Sequence, residues 1–206
     1  MLRNVAEAEA VTLTSEEYLS DFWPYFQRLQ DVFWKLETYQ SFREPDDSSW
    51  RAFDSGDWNQ AIRLIDERRE EIQEPVKQVH GFEMRRVRIV EKPFTPYIQW
   101  ELYYIRHRAQ AGEDIRVIDS DLLPAHGFTY RLPELVILDS LVMYEVLYTP
   151  DGTLTGARKI VDRALIESCR RDVESLFIVG RDLLPYLNEE RAVLPPPLQQ
   201  SGTPIA

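Results

Sequence analysis

Glu101 stands four residues after Tyr97, three before Tyr104 and seven before Arg108. On a helix of about 3.6 residues per turn, that spacing gathers the four side chains along one flank. A carboxylate, two phenols and a guanidinium so arranged can orient a polar ligand. They serve equally as a structural ladder at the border of a core, because buried polar groups need partners whatever the function. A second concentration is basic. Arg85, Arg86 and Arg88 fall in one strand-like run, with Arg86 and Arg88 on the same face by alternation. Arg106, His107 and Arg108 follow on the helix, and Arg116 lies on the next strand. Guanidinium forks suit phosphate or carboxylate. The competing account is that each arginine answers an acid such as Glu83, Glu91, Glu101 or Glu113. The candidate anion site is therefore Arg86, Arg88, Tyr97, Glu101, Tyr104, Arg108, Glu113 and Arg116.

Other chemistry finds less support. His80, His107 and His126 are the only histidines, and none has zinc-ligand spacing. Cys169 falls on the apolar stripe of a helix, where it acts as a small hydrophobe. There is no G-x-S-x-G, no G-x-x-x-x-G-K-[ST] and no G-x-G-x-x-G. No catalytic residue, metal or cofactor is expected. An enzymatic alternative, a hydrolase or transferase acting on phosphodiesters, would use Glu101 or His107 as general acid or base and the arginines to stabilise charge. It requires those groups to converge in a cleft.

The elements that must hold these residues read as follows. Residues 1–13 form a flexible lead-in, and residues 14–190 one α+β domain whose first part, 14–56, is a helical arm. Residues 191–206, with three consecutive prolines, form a disordered tail. Thr14 and Glu17 have capping-box spacing, and Pro24 should kink or split the helix they start. Val32–Tyr39 alternates partly like a strand as well as continuing the helical spacing. A short helix follows near Trp50 and Phe53. The next runs from Trp58 to Pro75, with the D-E-R-R-E-E run on its solvated side. A strand over 83–90, a helix over 96–111 ending at Gly112, and a strand over 114–118 make the central unit, with a right-handed crossover if the strands are parallel neighbours. Thr149-Pro150-Asp151-Gly152 closes a hairpin between 141–148 and 154–161, and Asp162 caps a further helix. The expected fold is α+β, a mainly antiparallel sheet of about five strands covered by helices.

Charge bears on partners. The 206 residues carry 24 basic and 35 acidic groups, a net charge of −11. Proteins that bind duplexes usually show a basic footprint, so nucleic acid and anionic membranes are set aside as direct partners. The beginning of the chain has no continuous apolar core of a signal peptide, and a lone Cys169 cannot form an internal disulfide. The expected location is the cytoplasm.

The string from Arg86 to Ile118, R-V-R-I-V-E-K-P-F-T-P-Y-I-Q-W-E-L…A-G-E-D-I-R-V-I, resembles a family of actinobacterial hypothetical proteins of unknown function, often encoded beside helix-turn-helix regulators. L-E-T at Leu36–Thr38, F-x-S-G-D-W at Phe53–Trp58 and Y-T-P-D-G-T-L-T-G-A at Tyr148–Ala157 extend the resemblance over roughly Trp34 to Ile160. The matching positions include Arg88, Pro93, Tyr97, Glu101, Ala111, Gly112, Glu113 and Ile115. The resemblance implies a regulatory or accessory role and supplies no reaction. The expected function is a non-enzymatic binding module that contacts a protein partner, such as a transcription regulator, or a small anionic ligand. A homodimer built through the N-terminal helices is a structural alternative.

Overall fold

Residues 1–191 are described by the structure, a computed structural model. The expected tail lies outside them, apart from Arg191. Eight strands form one sheet: β1 (Val11–Thr14), β2 (Val32–Glu37), β3 (Glu83–Val90), β4 (Asp114–Asp119), β5 (Leu135–Leu138), β6 (Val142–Tyr148), β7 (Leu154–Ile160) and β8 (Arg181–Asp182). Their order is β1-β7-β6-β5-β2-β3-β4-β8. β2, β3 and β4 run parallel at the centre, and the other pairings are antiparallel. The α+β class holds, but the sheet is larger and more mixed than the five mainly antiparallel strands expected. The reason is β2. Its residues are buried on both sides, so alternation is weak, and it pairs with β3 in parallel and β5 in antiparallel fashion. A segment read as part of a helical arm is thus a central strand.

Among the described residues there are seven α-helices: α1 (Ser15–Phe26), α2 (Ser48–Asp54), α3 (Trp58–Glu67), α4 (Arg69–Lys77), α5 (Pro96–Ala111), α6 (Arg163–Val179) and α7 (Leu183–Arg191). Caps set most of their starts. Thr14 and Glu17 make the capping box that the spacing predicts, and Asp47, Asp57, Thr95 and Asp162 cap α2, α3, α5 and α6. Pro24 sits inside α1 close to its end and Pro75 inside α4. The break between α3 and α4 comes at Arg68. Its guanidinium ties Asp47 at the start of α2 to Glu71 in the first turn of α4. Where a flexible lead-in is expected, residues 2–7 form a 3-10 helix with Leu2 and Val5 buried, and β1 follows. β1 lies close enough to β7 that a Cβ at Gly156 would stand 2.0 Å from the Leu13 carbonyl oxygen. Glycine there is a requirement of strand pairing.

Side-chain alternation divides the sheet into two faces. One carries Trp34, Leu36, Val87, Ile89 and Ile137 and is covered by α6 and the N-terminal 3-10 helix. On the other face, α2, α3, α5 and α7 cover the β3–β4 end, while α1 covers the β5–β7 end. Between those two apolar pools runs a line of charged residues from β2 and β3. No helix among the described residues is long and apolar enough to cross a membrane.

Candidate functional site

The charged line follows directly from strand register. Lys35 lies opposite Arg86, and Glu37 opposite Arg88, in the parallel β2–β3 pair. With one side chain in two pointing to each face, these four residues share the face that α5 covers. α5 contributes Tyr97, Glu101 and Arg108. It is apolar or aromatic on several sides because it sits between the sheet and the α2–α4 layer, with Ile98, Trp100 and Leu102 all buried. Gly112 ends it at φ +116°, a left-handed turn that leads directly into the buried Glu113.

Five of these side chains make one continuous chain of ion pairs. Lys35 Nζ lies 2.6 Å from Glu37 Oε1, and Arg86 Nη1 donates to Glu37 Oε2 at 2.7 Å. Arg86 Nε donates to Glu113 Oε1 at 2.7 Å, and Arg108 Nε donates to Glu113 Oε2. Burial alone would raise both acids. For Glu37 it is outweighed by Arg86, Lys35 and Arg88, and for Glu113 by Arg86 and Arg108, so both carboxyls are held below the usual range.

Next to this chain lies a sealed unit. Arg88 is fully buried and donates from Nε to Glu101 Oε2 at 2.7 Å, from Nη2 to the Tyr39 carbonyl at 2.6 Å and from Nη1 to the Ile89 carbonyl at 3.1 Å. Its guanidinium also stands over the Phe42 ring. Tyr97 donates to Glu44 Oε1 at 2.5 Å. Burial pushes the Glu44 carboxyl up to about 7; the Tyr97 hydrogen bond opposes the rise, the charges of Glu101 and Glu37 add to it, and Lys35 opposes it.

That shift has a measurable consequence. Between the ordinary carboxyl pKa of 4.5 and about 7, the folded chain keeps a proton on Glu44 that the unfolded chain has released. Its stabilising contribution is therefore complete below about pH 4.5 and is lost as the pH rises through about 7. Glu44→Gln keeps the shape without ionising. We expect thermal melts to show the variant gaining on the parent between pH 5.5 and pH 8. Parallel melting curves at both pH values would refute the assignment.

Over the ion-pair chain opens a groove of about 1020 Å³. Lys35 and Arg86 line it from the sheet and Arg108 from α5, while Tyr18, Phe22 and Phe26 of α1 and Val79 and Phe82 after α4 form its walls. The structure thus brings Arg86, Arg108 and Glu113 together at the groove and places Arg88, Tyr97 and Glu101 in the sealed unit beside it. Tyr104 is half-buried and packs against Trp100 on α5. Arg116 is on the opposite face, over Phe177 and paired with Asp114 and Asp182. Glu101 and His107 do not converge. Glu101 engages Arg88, whereas the His107 ring contacts Asp66 and Gln110, and burial and Arg106 lower its pKa. Among the described residues, no group of three or more His, Cys, Asp or Glu could hold a metal ion. Lys35 and Glu37 are the site members that the sequence reading omits. Their signal was the alternation of Val32–Glu37, recognisable once that segment is taken as a strand.

No curated protein matches this sequence. A similar solved structure is described as "Structure of TrmBL2, an archaeal chromatin protein, shows a novel mode of DNA binding", with a TM-score of 0.42 and 10% identity. The match covers 88% of this chain and 57% of that one, so the chain spans little more than half of that protein's length. The exclusion of direct nucleic-acid contact on net charge is corrected by this finding, since the similar structure is described as one that binds DNA. A likeness this weak assigns no DNA binding here. Residues 20–188 match the family model described as "Domain of unknown function (DUF6879)", and the chain belongs to that family.

Proposed function

We propose that the protein is a binding module that takes a small anionic ligand on Lys35, Arg86 and Arg108. The observation that carries this reading is a surplus of charge at an open surface. At the base of the groove, three cations share two carboxylates, Glu37 and Glu113. Lys35 has three donor hydrogens, and one carboxylate, that of Glu37, is paired with it. Arg108 reaches Glu113 through Nε. Donors therefore remain for a guest, and the two acids keep the arginines fixed in orientation before it arrives. Such pre-organisation lowers the cost of binding.

Thermal melting with a panel of inorganic phosphate, acetate, benzoate and octanoate tests the reading. A ligand at a hundred times its Kd stabilises the fold by about 2.7 kcal/mol, equivalent to about 5–10 °C for a chain of this size. Lys35→Met removes one cation and leaves Glu37 paired with Arg86. We expect it to weaken binding at least tenfold, about 1.4 kcal/mol, with little change in the ligand-free melting point. A panel in which no anion moves the melting point would refute the reading.

A further inference from the structure

From the groove's walls together with its charge surplus, we infer that the ligand is an elongated apolar monocarboxylate: a free alkyl or aryl acid whose carboxylate meets Lys35 and Arg108 and whose body lies along α1. The inference rests on the anion-binding reading and specifies its ligand. Three features of the groove set the chemistry.

The first is apolarity. Away from the cations, the groove is walled by Tyr18, Phe22 and Phe26 on one side and floored by Phe33, Met84 and Val136 of the sheet. An inorganic ion would leave that surface wet, whereas a hydrocarbon body would bury it. Phe22 and Phe26 are only half-buried, and they stack on one another at 5.2 Å. Phe26 in turn meets Phe82 edge-on at 5.3 Å, so the two walls touch at that level. The second feature is the size of the charge. Along the ion-pair line, three cations against two carboxylates leave one positive charge at the base, and the Glu74 carboxylate at the rim, hydrogen-bonded to Gln78, disfavours a dianion further. The third is the rim. Gln27, Gln78, His80 and Glu74 stand at the groove edge, with Glu74 held by Gln78 and Glu71 by Arg68. A polar rim around an apolar, cation-based pocket gives the ligand a direction: acid inward, hydrocarbon tail along the aromatic wall.

The geometry also gives an orientation to the pairing. The ligand carboxylate adds to the line Lys35–Glu37–Arg86–Glu113–Arg108 without breaking it, since its partners are the two ends of that line. Arg86, in the middle, holds both acids.

Isothermal titration of the full chain with straight-chain acids from acetate to dodecanoate, each below its micelle concentration, tests the inference. Affinity should climb by about fourfold per methylene while the tail remains in the groove, and inorganic phosphate should bind far more weakly than decanoate. Lys35→Met should lower the affinity of every acid by a similar factor and keep the dependence on length. Phe22→Ala should reduce the gain per methylene; intact far-ultraviolet dichroism certifies its fold, and the parent series decides the matter if that variant does not fold. Phosphate or acetate binding as tightly as decanoate would overturn the apolar monocarboxylate and leave the anion-binding reading standing. Decanol binding as tightly as decanoate, or no acid or phosphate binding at all, would overturn both.

Discussion

Arg88→Met should cost the fold about 3–5 kcal/mol, the range seen when one partner of a buried ion pair is removed. Methionine fills a similar volume, so a cavity contributes little. The loss comes from Glu101, left as a carboxylate with no cation, and from the Tyr39 carbonyl, which loses its arginine donor, while the Ile89 carbonyl keeps Gln40 Nε2 at 3.0 Å. The expected fall in melting temperature is about 6–20 °C. Adding Glu101→Leu should restore much of it, because the uncompensated charge disappears with its partner. Denaturant unfolding of the two single variants and the double variant checks this. A double variant as unstable as the sum of the singles would show that the two side chains are not energetically coupled. Anion affinity measured on the folded double variant should stay near that of the parent, since neither residue lines the groove.

Glu113→Gln should act on stability and binding in opposite directions. Glu113 is buried, and each of its oxygens accepts from a different arginine. Glutamine keeps one carbonyl acceptor but turns its amide towards the second guanidinium. Arg86 and Arg108 then face each other across a neutral group. A destabilisation of about 3–5 kcal/mol is expected in low salt. At the base of the groove, three cations would share Glu37 alone, so a carboxylate ligand should bind more tightly and recover part of the lost stability. Titration with octanoate, read as melting temperature in parent and variant, separates the two effects. If octanoate raises the variant's melting point no more than the parent's, Glu113 does not help to set the charge that the groove presents.

Much of this arrangement is legible in the sequence, and the remainder fails for identifiable reasons. The β3–α5–β4 unit follows from Thr95-Pro96 at one helix end, Gly112 at the other and strand-forming runs on either side. The hairpin between β6 and β7 follows from its turn residues. Arg86 and Arg88 share a face as alternation predicts. The sequence offers Glu101 and Glu113 among the acids that could answer them but does not pair them, because pairing across elements depends on register that one sequence does not carry. Arg116 fails for that reason: it lies opposite Val87 and so faces the other side of the sheet. β1 and β8, with four and two residues, are too short to show a period. The aromatic run in α1 is plain in the sequence. That it walls a groove depends on β2 passing beneath it, and β2 was the segment whose period was ambiguous.

The charged line between the two apolar pools also acts as a register key. Slide β2 and β3 by one residue and Lys35, Glu37, Arg86 and Arg88 all turn under α6, among Ile166, Val173 and Leu176 and away from Glu101 and Glu113. A chain misaligned in this way would bury three cations with Glu37 as their one carboxylate, so the correct alignment is chosen by what the wrong one forbids. Replacing the whole line with leucines and methionines would remove that veto, and the sheet would tolerate sliding by one place that it now rejects.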